Sequence, residues 1–539
     1  MVLMLAAVTL QLLPLLAAPA TASYAFYVGK SLTASGAVLV GGTGEEVSSH
    51  WLQLFPATDH APNDTITVGV TADAVLPGEL FQIPQVAHTL RYLSMEYSDF
   101  EGFPAPLTNG GVNEAGVAVR DVWAENRAEL WDMTPTPQRG LQYSDLARRV
   151  LERATSAREG VQIIGNLIAK YGYADYGGNS HLVADQDEGW VVWELAGGAG
   201  LWAAERLGPD EVRVLYPGYI EEFPVDFLDH PEGDYLGSLN LVEFAVQQGW
   251  WDPQAGKPFN VFEVYGVQGE NYTARDGGFK YMSQAALENA TLAMVPVTEA
   301  DLMARVRDPR IADDEAGYGQ VVSLYPSKDP DMIRIWNAPT GSVAAPFVPW
   351  WLGVQELPPE FSEHRYLTKG SPSSFLDLDF QLQEAAIFAG RLFKRVLYYT
   401  CTNPDAFLPV VTDMLAGFEN RSLSDLGWVE KGAEALIGNG ERAAARSLLT
   451  YYSHSRASEA LKIGDAMATA LDAYIKLTGR WRNPIGDQIN DAGEGAETVN
   501  CLVGFDPDQP PDKLLLLQRQ RAARGVRSEA MRLSNGLEA

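Results

Sequence analysis

Ala20-Thr21-Ala22-Ser23-Tyr24-Ala25-Phe26-Tyr27-Val28-Gly29-Lys30 holds two signals back to back. Its first part ends a leader. Residues 1–22 carry no charged side chain, 3–16 is almost continuously apolar, and Ala20-Thr21-Ala22 fits the A-x-A cleavage rule with the cut before Ser23. The apolar run is short for a bilayer span, so the expectation is a signal peptide and an exported, soluble product. The second part, 24–28, is a β-rich run. Residues 29–36 have turn composition and 37–40 are β-rich again, which reads as a hairpin. The cut would leave Ser23 with a hydroxyl and a free α-amine on one residue. An α-amine has an unperturbed pKa of about 7.7–8.0, so it can take a proton from that hydroxyl at neutral pH without a histidine.

Outward from the hairpin, 66–70 and 117–122 read as strands, with Gly110, Gly111 and Gly116 before the second. A helix opens at Ser144. Another is capped by Ser156 and runs to about Tyr171, with Val161, Ile164, Leu167 and Ile168 on one face. Strands return at 181–185, 190–194, 200–204 and 212–216. The short turns Asp187-Glu188-Gly189 and Gly197-Gly198 imply antiparallel pairing. Strands, helices, then strands again suggest sheet layers with helices outside. Residues 223–360, rich in aromatics, Pro and Gly, read as long covering loops, with Trp250-Trp251 and Trp350-Trp351 as core packing. Stretches 376–399 and 430–478 have helical period, and 508–539 is a basic tail. The expected division is a leader 1–22, a main domain 23–370, a helical region 371–507 and the tail 508–539.

Composition narrows the function. The chain of 539 residues has net charge -30, which repels phosphate backbones and argues against nucleic acid as a partner. Its seven histidines form no H-x-x-H or H-E-x-x-H, and no Cys pair has metal-ligand spacing, so no metal and no organic cofactor is implied. There is no internal repeat, Walker sequence or dinucleotide Gly fingerprint. The two cysteines, Cys401 and Cys501, could pair if the chain is exported. Asn63, Asn271, Asn289 and Asn420 sit in glycosylation sequons.

The segment 23–30 resembles the mature start of the PepD-type dipeptidases, C-T-x-x-x-V-G-K, with Ser23 on the position of the catalytic Cys. Thr33-Ala34-Ser35-Gly36-Ala37-Val38-Leu39 is similar to the family's A-x-D-G-S-x-L hairpin, and Val112-Asn113-Glu114-Ala115-Gly116-Val117-Ala118 to its N-E-x-G-V-A. Ala184-Asp185, Gly189-Trp190, Glu194, Trp202-Ala203-Ala204-Glu205-Arg206 and Pro209-Asp210 follow its middle section. Trp336 with Ala345-Pro346-Phe347-Val348-Pro349 resembles its late element.

The resemblance implies an α+β fold, a four-layer αββα N-terminal-nucleophile hydrolase sandwich with a helical C-terminal region. It implies hydrolysis of a short peptide or related amide, with Ser23 as nucleophile and Asn113 as an oxyanion donor. On the residues alone Asn113 reads rather as a turn-stabilising group before Gly116, and it is the resemblance that makes it an oxyanion donor. Glu45 and Glu46 are candidates for binding a substrate α-ammonium, or members of a solvated loop. His50 and His181 read as structural. The family's Arg and Asp after the hairpin are replaced here by Gly42 and Glu45. Two rival readings therefore stay open: an amidase on a non-peptide acyl amide, and an inactive exported binding protein.

Overall fold

A computed structural model describes residues 23–44, 50–98, 102–268, 283–312, 316–326, 328–362, 387–401 and 403–478. The expected leader and basic tail, Glu45, Glu46 and Cys501 lie outside the described residues.

Two antiparallel sheets carry the fold. One has the spatial order β14 (Val212–Leu215), β1 (Tyr24–Val28), β2 (Val38–Gly44), β16 (Tyr318–Leu324), β17 (Arg334–Ala338) and β18 (Val348–Trp351). The other runs β15 (Tyr235–Gly237), β13 (Trp202–Leu207), β12 (Gly189–Glu194), β11 (Asn179–Ala184), β10 (Ala118–Trp123), β9 (Leu107–Asn113), β8 (Tyr92–Tyr97) and β3 (His50–Phe55). Two small ribbons lie apart: β4 (Thr58–Asp59) with β7 (His88–Thr89), and β5 (Thr65–Gly69) with β6 (Leu80–Pro84). The expected opening hairpin is β1–β2, and its turn is a 3-10 turn at Lys30–Leu32.

Helices cover both outer faces. α1 (Tyr143–Arg153) and α2 (Ala157–Tyr171) pack on the eight-stranded sheet; α3 (Gln284–Leu292) and α4 (Glu299–Val306) pack on the six-stranded one. The layers are therefore αββα. Ser156 caps α2 as expected, accepting from the Glu159 N–H. Gln142 rather than Ser144 caps α1, and Asp145 closes the capping box. Strand pleat separates two cores. In β10, Ala118 and Val122 join the core that includes the space between the sheets, while Val119 joins the core under α1 and α2.

Two expectations need correction. Residues 223–360 are not covering loops: they supply β15 to β18 and both helices over the six-stranded sheet. Three of these strands, β16 to β18, escape an alternation test because they are buried on both faces. All seven residues of β16, all five of β17 and all four of β18, Trp350 and Trp351 included, are buried. The helical stretch 430–478 is broken. α6 (Pro404–Gly438) begins well upstream, and α7 (Arg442–Thr478) follows a turn at Gly440, whose φ of 82° lies in the left-handed region.

α5 (Ala389–Thr400), α6 and α7 pack together, and α7 rests against β18. Buried charge joins these helices to the sheets. Glu419 of α6 pairs with Arg307, and Glu430 pairs with Lys328 and Arg334. Asp331 accepts from Arg91, Arg442 and Arg446. Cys401 is disulfide-bonded, and Cys501 is the chain's other cysteine. Among the described residues, no helix is long and apolar enough to cross a membrane.

Candidate active site

Ser23 is buried and directly precedes β1. Register shows which way it faces. Tyr27 donates its hydroxyl proton to the carbonyls of Leu207 and Gly208 in and beside β13 of the opposite sheet, so Tyr27 points into the space between the sheets. Ala25 pairs with Gly42, whose Cβ position faces Arg120 of β10. Phe26 pairs with Gly41, which faces Leu302 and Val306 of α4 on the other side. Ser23 shares the parity of Ala25 and Tyr27, which places it on the inner face.

The same parity puts Gly42 and Gly44 of β2 on that inner face beside Ser23, so no side chain rises from the floor there. Beyond β2, Tyr318 pairs with Gly44 and Gln320 with Gly42. Arg120 reaches down from the opposite sheet as a roof. Its Nη1 donates to Gln320 Oε1 at 2.6 Å, its Nη2 donates to the Tyr318 hydroxyl, and its guanidinium carbon lies 4.9 Å from the Tyr318 ring centroid. Arg120 and Gln320 are each 1% exposed. Arg120 Nε and Gln320 Nε2 are buried donors with no hydrogen-bond partner among the described residues. Such groups are costly to bury unless something accepts from them.

Gly42 is explained by the same geometry. An ideal Cβ there would run into the Tyr24 carbonyl and sit 3.0 Å from Arg120 Nε. The departure from the family pattern at position 42 therefore goes with an arginine brought in from the facing sheet.

Asn113 is elsewhere. It ends β9 on the outer face of its sheet. Its Nδ2 donates to the carbonyls of Leu151 and Ala154 at the end of α1, 3.1 and 2.8 Å away. Its Oδ1 accepts from the N–H groups of Ala115 and Val117. Both amide hydrogens are committed, so none is left for an oxyanion. The oxyanion assignment is corrected: Asn113 stabilises the turn before Gly116 and ties it to α1. Asn113→Ala is expected to cost about 2–4 kcal/mol, because buried carbonyls and N–H groups lose partners. A urea unfolding midpoint at the wild-type value would refute this.

His181 is structural as expected. It is buried on the outer face, with Nδ1 2.7 Å from Glu194 Oε1 and Nε2 3.1 Å from the Tyr143 carbonyl. Burial pulls its pKa down, but the Glu194 carboxylate outweighs burial and the net shift is upward. His50 stacks between the rings of Tyr97 and Tyr318, 5.4 Å from each, at the edge of the inner site. Among the described residues, no group of three or more His, Cys, Asp or Glu could hold a metal ion.

Sequence reading misses Arg120, Gln320 and Tyr318. Arg120 leaves a signal: it alternates with Ala118 and Val122, so a charge sits on the buried side of a recognisable strand. Gln320 and Tyr318 are hidden because their strand reads as loop.

Comparison with known proteins agrees with a dipeptidase-like chain. Residues 78–284 match the family model of peptidase family C69, a stretch that begins downstream of Ser23. A probable dipeptidase of Salmonella dublin is 27% identical over 197 residues, 36% of this chain and 43% of that protein. Probable dipeptidase B of Streptococcus pyogenes is 27% identical over 241 residues, 44% of this chain and 45% of that protein. A probable dipeptidase of Latilactobacillus sakei is 31% identical over 138 residues, 25% of this chain and 27% of that protein. The matches span less than half the length of these relatives. Among solved structures, a mutant conjugated bile acid hydrolase from Clostridium perfringens matches with 12% identity and a TM-score of 0.27. That match covers 58% of this chain and 88% of the other. The matched stretch, less than half of the chain, is similar to peptidase family C69, and the relatives that share part of it are probable dipeptidases.

Proposed function

We propose that the protein is an exported dipeptidase working through Ser23. The observation that carries this reading is the inner-facing Ser23 at the end of a glycine floor formed by Gly42 and Gly44, with the buried donors of Arg120 and Gln320 over and beyond Gly42. In the proposed reaction, Ser23 Oγ bonds to the scissile carbonyl carbon while its proton passes to the Ser23 α-amine. The C–N bond then breaks, and the ammonium proton moves to the leaving amine. Water attacks the resulting ester, gives a proton to the α-amine, and the acid departs as Ser23 Oγ is reprotonated. Apart from water, these steps use only the chain's own groups.

Gln320 Nε2 takes the donor role first expected of Asn113. A donor of this kind is worth roughly 2.7–4 kcal/mol to a tetrahedral oxyanion. A hydroxyl is a poorer nucleophile than the family's thiol, so more rests on the amine and on these donors.

Export is supported by the A-x-A sequence and by the disulfide at Cys401, a bond that persists in oxidising compartments. Three of the sequon residues, Asn63, Asn289 and Asn420, are exposed. The amidase reading draws on the bare Gly42, and a panel of dipeptides against acyl amides separates the two.

The test of processing is an intact-mass measurement of the exported protein. The expected mass begins at Ser23. Any other N-terminus leaves the serine without its amine and removes the proposed base.

A further inference from the structure

We infer that Arg120 is the residue that reads the free C-terminal carboxylate of the substrate, and so makes this site select dipeptides. The inference rests on the dipeptidase reading and names what that site recognises.

Arg120 is a buried cation whose guanidinium hydrogen-bonds to two neutral groups, Gln320 and Tyr318. Among the described residues, no carboxylate forms an ion pair with it. A guanidinium presents five N–H donors in a rigid fork, and its Nε edge is unsatisfied here. Burying an uncompensated charge is unfavourable, whereas the same site with an anion bound gains a charge-assisted pair. The chemistry of the site therefore asks for an anion, and a planar carboxylate matches the fork.

Position decides which anion. The Cβ position of Gly42, the register partner of Ala25, lies against both the Tyr24 carbonyl and Arg120 Nε, so the guanidinium stands one to two residues along β1 from Ser23. One residue, about 3.8 Å between successive Cα atoms, separates the scissile carbonyl of a dipeptide from the residue bearing its carboxylate. In a longer peptide that carboxylate falls further away, and in an amide it is absent. The opposite orientation would set the substrate ammonium against Arg120 and is disfavoured by charge.

Gly42 gives the device its room, because a side chain at 42 would meet the guanidinium. Gln320 and Tyr318 aim Arg120 as positioning residues and do not neutralise it.

The test uses the full mature chain and two probes, alanyl-alanine and its C-terminal amide. Binding is measured calorimetrically to the Ser23→Ala protein, where turnover cannot interfere, and turnover is measured on the protein with Ser23 intact. The expected result is a preference of roughly 10- to 150-fold for the acid over the amide, the range of a hydrogen bond to a charged group. Adding Arg120→Gln should reduce that preference to within about twofold. Arg120→Lys keeps the charge without the fork and should give an intermediate preference. It also serves if the Gln variant does not fold, as judged by circular dichroism.

Equal binding of acid and amide by the Ser23→Ala protein overturns the inference. So does a preference that survives Arg120→Gln. If dipeptides are turned over without acid preference, the dipeptidase reading stands and Arg120 falls. If acid binding is preferred and depends on Arg120, yet the protein with Ser23 intact hydrolyses no dipeptide, Arg120 stands and the proposed reaction falls.

Discussion

Ser23→Ala is expected to abolish peptide hydrolysis, by on the order of 10³-fold or more in kcat, while leaving the fold nearly unchanged. The asymmetry follows from the position of Ser23. β1 is held between β2 and β14 by backbone pairing that begins one residue later, at Tyr24 and Ala25. Removing a hydroxyl just ahead of the strand breaks none of those bonds. Chemistry, by contrast, loses the atom that attacks. Ser23→Cys keeps both a nucleophile and the amine and should retain measurable turnover.

A second variant isolates the amine. One extra residue before Ser23 leaves the hydroxyl in place but turns the amine into an amide, which cannot accept the proton. Its loss should also be many-fold, and the two losses should not add, because nucleophile and base act as one unit. Single-turnover assays on dipeptides check both. Wild-type rates in both proteins would show that the chemistry lies elsewhere. An inactive binding protein would show no turnover with Ser23 intact.

The contrast between Ser23 and Asn113 shows how far sequence reaches. Ser23 is legible because two unrelated patterns, a cleavage rule and a family spacing, fall on one residue. The hairpin and the strands 117–122, 181–185 and 190–194 are legible because short polar turns separate apolar runs. Asn113 misleads because a motif reports neighbours along the chain but not which side of a sheet they face. The pleat of β9 and β10 turns Asn113 outward and Arg120 inward, and one residue of parity decides between a turn anchor and a site residue. Register across β1, β2 and β16, which brings Gly42 beside Gln320, joins residues far apart in sequence. No local pattern encodes it. The strands between 318 and 351 are hidden for a related reason. They are buried on both faces, so the alternation that marks a half-exposed strand is missing.

Asp331→Ala should be among the most destabilising single changes at the junction of the sheets and the helical region, costing about 2–3 kcal/mol. Asp331 is fully buried and lies just ahead of β17. Its Oδ1 accepts from Arg91 Nη2 at 2.5 Å and from Arg446 Nη2 at 3.0 Å. Its Oδ2 accepts from Arg442 Nη1 at 2.6 Å and from Arg446 Nε at 2.9 Å. Arg91 directly precedes β8 of the eight-stranded sheet, and Arg442 and Arg446 belong to α7, so one carboxylate links both sheets and the last helix.

Burial alone would raise the pKa of Asp331. Hydrogen bonds from Arg446, Arg91 and Arg442 outweigh it and hold the value at about 2, below the ordinary 3.8. The sign follows from that depression. The unfolded chain binds the proton more readily, so the stabilisation is fully present above the unfolded value near 4. It is lost as pH falls through about 2. Arg442 and Arg446 are partly exposed and can turn to water when the carboxylate is removed, whereas Arg91 is mostly buried and loses more. That keeps the expected cost at the lower end for a broken buried pair. Urea unfolding of wild type and variant between pH 7 and pH 2 reads it directly. The difference between the two midpoints should hold steady down to about pH 4 and shrink below it. A difference that is absent at pH 7, or unchanged at pH 2, would mean that this cluster does not tie the helices to the sheets through charge.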